Sequence, residues 1–252
     1  MKYTNEMKRI TKKIGLALSV ITALCGTCCG QAVKAGAVAR INDTLAIFEK
    51  LSNQIKDAKG DYTLGGTIDL IDPVNPVNDI RNTEFLFCKR GNEFYYKLGT
   101  TETINAGALY IYIDHQTHHI LVSPKKQVVY DASPLKPIDV GEALRSEHYQ
   151  LRSSVKGEEQ TISLVNEHHI SCKQYSLTFT KEGLHIKRLY MRLTYINDPM
   201  NKAKETTVDV HISQWVHTAD LGHYLTAGQV VRSVRGGWRG INEFKDYRVV
   251  EM

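Results

Sequence analysis

The chain has 252 residues, with 32 Lys/Arg against 27 Asp/Glu for a formal net charge of +5, and is 42% hydrophobic. Its length is ample for one sizeable core, and no low-complexity linker divides it. The positive excess is concentrated in the first thirty residues. Removing their five Lys/Arg and one acidic residue, Glu6, leaves 27 basic and 26 acidic groups, which excludes a nucleic-acid footprint.

Lys2, Lys8, Arg9, Lys12 and Lys13 precede the apolar run IGLALSVITALCG, and small residues lead on to Gly30. A basic stretch, a short apolar core and a small-residue exit predict a secretory signal peptide over 1–30, cleaved near Gly30 or Ala32. The run is too short to span a bilayer comfortably. Cys25 follows Leu24, Cys28 has Cys25 where a lipidation motif wants an aliphatic residue, and Cys29 follows a cysteine. A periplasmic or secreted protein is therefore preferred to an outer-membrane lipoprotein, with residues 35–252 as one domain.

Residues 37–58 place Val38, Ile41, Leu45, Phe48, Leu51 and Ile55 at three- and four-residue spacing, one stripe of an amphipathic helix that ends near Gly60. YTLGGTIDLI alternates as a strand, and the prolines and asparagines of DPVNPVND stop it. TEFLFCKRGNEFYYKLG reads as a hairpin turning at Gly91-Asn92. ALYIYID and HILVS are a second pair of arms, and QVVYD follows the turn at Pro124-Lys125-Lys126. Residues 137–148 suggest a short second helix, weakened by Gly141.

TISLVNE, KQYSLTFT, LHIKRLYMRLTYI, TTVDVHISQWV, GQVVRSV and EFKDYRVVE add further strands. A bulge near Lys187-Arg188 reconciles a jump in apolar parity. The sum is an α+β chain, mainly antiparallel β, with about eleven or twelve strands and two helices.

Cys88 and Cys172 are the cysteines left after the leader. They are the candidates for one disulfide, with two separate buried thiols as the alternative. Pairing would close a loop of about 84 residues, worth roughly 4 kcal/mol in loop entropy.

In LYIYI, Leu109, Ile111 and Ile113 face one way and Tyr110 and Tyr112 the other. FLFC and FYY behave similarly, so part of the sheet is apolar on both sides and each face needs cover. One long and one short helix are a small supply. The expectation is a hollow for a hydrophobic ligand or partner, with Tyr110, Tyr112, Phe94, Tyr96 and Trp215 as contacts. The alternative is a hollow filled by the chain's own helices, leaving an envelope scaffold or interaction subunit.

With the leader and the helix before it, EFYYKL...ALYIYIDHQTHHILVSPKKQVV resembles the periplasmic lipoprotein carriers and outer-membrane lipoprotein receptors. The likeness is one of element order over most of 37–252, with EFKDYRVVE similar to their closing strand. It implies a curved half-barrel of eleven antiparallel strands whose concave side is lidded by helices and accepts acyl chains. The implied partner is a hydrophobic ligand, a lipoprotein or an envelope protein, with peripheral membrane association left open.

His118 and His119 alternate to opposite strand faces, so they cannot grip one ion together. His115 and His118 with Asp114 give at most three ligands, and the stretch is read as a hairpin tip. His168-His169 has the same alternation, His211 faces water, and His217 and His223 flank a loop. GGWRG reads as a turn or bulge with Trp238 packing. The chain lacks GxSxG, a Walker-type loop and HExxH. No catalytic residue, metal or cofactor is expected, and a His-dependent metal-binding protein is the last-ranked alternative.

Overall fold

The computed structural model describes residues 43–51, 61–126, 144 and 146–252. The expected leader with its cleavage sites and cysteines, the flanks of the first helix, QVVYD and most of the second helix lie outside the described residues. Leu144 and Ser146 of that second helix are helical. Among the described residues, no helix is long and apolar enough to cross a membrane.

Helix α1 spans 43–51. The first six strands are β1 (Tyr62–Ile71), β2 (Ile80–Arg90), β3 (Glu93–Leu98), β4 (Thr101–Ala106), β5 (Leu109–Asp114) and β6 (His119–Pro124). Next come β7 (Gln150–Lys156), β8 (Glu159–Val165), β9 (Cys172–Thr180), β10 (Ile186–Leu193) and β11 (Thr206–Val216). The C-terminal part holds α2 (Ala227–Val230), β12 (Val231–Val234), β13 (Gly237–Gly240) and β14 (Arg248–Glu251).

Among the described residues, twelve strands form one open sheet in the order β14-β6-β5-β4-β3-β2-β1-β11-β10-β9-β8-β7, and β12-β13 stand apart as a hairpin. The protein is α+β and mostly antiparallel. The expected bulge is present, as a register shift between Ile186 and Arg188. Three corrections apply. TETINA and QLRSSVK are strands, and GGWRG is mostly strand β13 rather than a bulge. The last strand pairs parallel to β6, because the chain returns to that edge by a crossover instead of a hairpin.

The chain folds as two compact units. The first, described over 43–51, 68–81, 144 and 146–211, has an ordinary one-sided sheet. Ile162, Leu177, Leu189 and Val210 face one another across β8–β11, as do Leu164, Tyr175, Met191 and Val208. All eight are buried, and Phe48 of α1 packs its ring 6.1 Å from Tyr175. The other face is polar and internally bonded. Thr161 meets Thr178 and Ser163 meets Ser176 at 2.8 Å, and Arg188 grips Asp209 through two bonds.

The second unit is described over 61–67, 82–126 and 212–252. Here one sheet face presents Cys88, Tyr95, Ile104, Ile111, Ile113, Ile120 and Val122. The C-terminal segment covers it with Leu221, Val230, Val231 and Phe244. Val249 of β14 and Tyr224 pack against the same core, Tyr224 stacking on Tyr95 at 5.1 Å. The chain thus supplies its own cover for this face from 217–252, a part read from sequence as strands and loops.

Candidate ligand-binding face

Alternation puts a second apolar set on the opposite face of β2–β6. The Gly91-Asn92 turn pairs Arg90 with Glu93, and from there Phe87 faces Tyr96. Tyr96 faces Thr103, Thr103 faces Tyr112, and Tyr112 faces Leu121. The neighbouring row runs Lys89, Phe94, Asn105, Tyr110 and Ser123. Tyr62 joins through its ring, 5.6 Å from Phe87, which also lies 5.8 Å from Phe94 and 6.1 Å from Tyr96.

Four of the five expected contacts, Phe94, Tyr96, Tyr110 and Tyr112, therefore share one face. Tyr62 and Phe87 are buried, whereas Phe94, Tyr96, Tyr110, Tyr112 and Leu121 are half-buried. Trp215 lies on β11. Its neighbour Gln214 reaches toward Gly65 beside Leu86, on the covered side, so alternation turns Trp215 to the aromatic side. Its ring meets His217 at 6.4 Å. Tyr62, Phe87 and Leu121 were missed by sequence reasoning, although counting back from the Gly91-Asn92 turn places Phe87 opposite Tyr96.

The polar atoms on this face differ in their bonding. Asn105, fully buried, donates to the Asn92 and Lys126 carbonyls and accepts from the Lys126 N–H. Lys126 Nζ stands 4.0 Å from the centre of the Tyr110 ring, a cation–π contact. Burial pushes the Tyr96 and Tyr112 phenols up to about 12. The Tyr112 hydroxyl and the Trp215 Nε1 are buried with no hydrogen-bond partner among the described residues. Such groups are uncommon in a finished core, since each forfeits its bonds to water.

The histidines act as struts. His115 Nε2 lies 3.0 Å from buried Glu102, which also accepts from the Tyr95 hydroxyl at 2.7 Å, and His115 Nδ1 lies 2.9 Å from the Tyr247 hydroxyl. This ties the β5–β6 hairpin to the C-terminal cover. His217 contacts Trp215, and His223 contacts Tyr224. Among the described residues, no group of three or more His, Cys, Asp or Glu could hold a metal ion.

Both candidate disulfide cysteines are free thiols, which corrects the paired alternative. Cys88 belongs to the second unit, where its sulfur accepts from the Thr63 hydroxyl. Cys172 belongs to the first and donates to the Gln174 carbonyl. Burial pushes the Cys172 thiol up to about 12, so it is no nucleophile at neutral pH. His169, three residues before it, is no base for that thiol. Its Nδ1 accepts from the Ser171 and Cys172 N–H groups, and its Nε2 faces Glu147 at 3.4 Å.

Burial also holds His169 below its ordinary pKa of 6.5. The unfolded chain then binds a proton that the folded one refuses, so the contribution is complete above pH 6.5 and is lost as pH falls toward the folded value. Urea unfolding across that window should show stability dropping on acidification. His169→Asn, whose Oδ1 can replace Nδ1 as acceptor, should flatten the drop. An unchanged slope in the variant would assign it to other groups.

No protein-family model matches the chain, and no curated protein matches it. Among solved structures it is similar to an uncharacterized conserved protein from Thermus thermophilus, at 12% identity and a TM-score of 0.35 over 84% of this chain and 99% of that one. It is also similar to a putative outer membrane lipoprotein-sorting protein domain from Vibrio parahaemolyticus, at 10% identity and a TM-score of 0.24 over 71% of this chain and 94% of that one.

Proposed function

We propose that the protein is an exported, non-enzymatic binding protein that holds an acyl chain, free or as part of a lipoprotein, on the aromatic face of the second unit. One observation carries this reading. The sheet there is apolar on both sides, and the chain's own C-terminal segment covers the side opposite the Phe87–Tyr96–Tyr112–Leu121 row. Half-buried rings suit an aliphatic ligand, which asks for area and few hydrogen bonds. The leader-like N-terminus supports a periplasmic or secreted setting.

Native mass spectrometry of gently purified protein should show bound lipid. Tyr112→Asp places a charge in the middle of the row and should lower occupancy about tenfold or more, while Tyr112→Phe keeps the ring, drops the orphan hydroxyl and should retain the lipid. A ligand-free wild-type spectrum, together with no thermal stabilisation by added lipids, would overturn the reading. The self-covered first face favours a second reading, an envelope scaffold whose other face is also closed by protein. That reading predicts a lipid-free protein with a stable protein partner in pull-downs.

A further inference from the structure

Across the described strand pairs, oppositely charged residues face each other at several points. Arg90 faces Glu93, Lys97 faces Glu102 and Lys156 faces Glu159. Cross-strand electrostatics favours this, and like charges directly opposite work against pairing. The β12–β13 hairpin does the reverse, with Arg232 facing Arg239. Facing Cβ atoms are about 5 Å apart, and guanidinium cannot relieve the repulsion by losing a proton. The hairpin has only two strands of four residues, a marginal structure by itself.

Among the described residues, the arginines also lack compensation. Val231 is buried in the core of the second unit, so alternation turns Arg232, Arg239 and Val234 to the outer face, where both arginines are exposed and Val234 is 39% exposed. Arg235 adds a third cation at the first position of the two-residue loop; Gly236, at the second, takes a φ of +95° that suits glycine. None of the three has an ion pair or hydrogen bond among the described residues, whereas Arg188 and Arg192 grip carboxylates. Glu251 comes near, its Oε2 lying 3.5 Å from where a Cβ on Gly237 would stand, yet it pairs with neither facing arginine.

We propose that Arg232 and Arg239 are the two sides of a phosphate-binding site with Arg235 at its rim, the bound group being the phosphate of a lipid headgroup or a free phosphate. Two planar forks side by side match the several acceptor oxygens of one tetrahedral anion, and its charge offsets the repulsion that the hairpin otherwise carries. The site is independent of the aromatic face, and its test varies no residue of that face.

The test uses the purified chain with two probes, inorganic phosphate followed by thermal shift and phosphatidylglycerol vesicles followed by cosedimentation against phosphatidylcholine vesicles. Arg232→Gln and Arg239→Gln should each weaken binding about tenfold. Arg239→Glu turns the facing pair into an opposite-charge one, so it should melt higher than wild type without anion while losing binding, which separates lost binding from lost folding. Binding of the anionic vesicles alone assigns a lipid headgroup, and binding of inorganic phosphate without vesicle preference assigns a free phosphate. Wild type binding neither probe, or undiminished binding by the double glutamine variant, overturns the site.

Discussion

Replacing Glu205 by alanine is expected to cost about 3–5 kcal/mol of stability, the range for breaking a buried ion pair by removing one partner. Lys173 and Glu205 side chains are 1% and 5% exposed, with Nζ 2.8 Å from Oε1. The same ammonium donates to the Pro199 carbonyl at 2.5 Å. The other carboxylate oxygen accepts from Arg192 at 3.2 Å, and Arg192 reaches on to Glu167 at 2.5 Å. Loss of the carboxylate strands a buried ammonium and half-satisfies a guanidinium.

Lys173→Met with Glu205→Leu should recover most of that loss, because the buried ammonium leaves together with its carboxylate and Arg192 keeps Glu167 as a partner. Urea unfolding of the single and double variants checks both statements. A single-variant loss below about 1 kcal/mol would place the pair with exposed salt bridges, where screening and side-chain entropy cancel the attraction.

Phe244→Ala should cost a similar amount, about 3–5 kcal/mol, for a different reason. Phe244 is 1% exposed and packs its ring 6.0 Å from His115 and 5.2 Å from Tyr247, over the core that contains Ile111, Ile113 and Ile120. Its backbone is pressed against Gly240, where an added Cβ would meet the Phe244 carbonyl oxygen at 2.1 Å. The turn cannot slide inward to fill the space, so a cavity remains. Beyond the global loss in urea, amide exchange should speed up in β14, whose pairing with β6 depends on this cover. Protection of β14 equal to wild type would mean that the strand is held by its edge pairing alone.

Local alternation made much of the sheet legible. β1, the β2–β3 hairpin with its Gly91-Asn92 turn, β5–β6 and β9 to β11 announce themselves through period-two patterns, and the bulge in β10 through a parity jump. β4 did not, because TETINA has one large apolar residue, Ile104. Its Glu102 and Asn105 are buried by partners from His115, Tyr95, Asn92 and Lys126 that no local pattern reveals. β7 was missed because an exposed edge strand needs no apolar face.

The sequence by itself determined that one stretch of sheet is greasy on both sides, since the alternation of LYIYI and FYY follows from strand geometry alone. It also set the register of the β2–β3 hairpin, through the turn. Only the tertiary structure decided which greasy face the chain covers for itself. Leu221, Val230 and Phe244 come from a segment that enters by a crossover, and such long-range choices depend on summed packing over many contacts. For the same reason two cysteines that composition offers as a pair belong to separate units, and two arginines with six residues between them in the chain become direct neighbours across a hairpin.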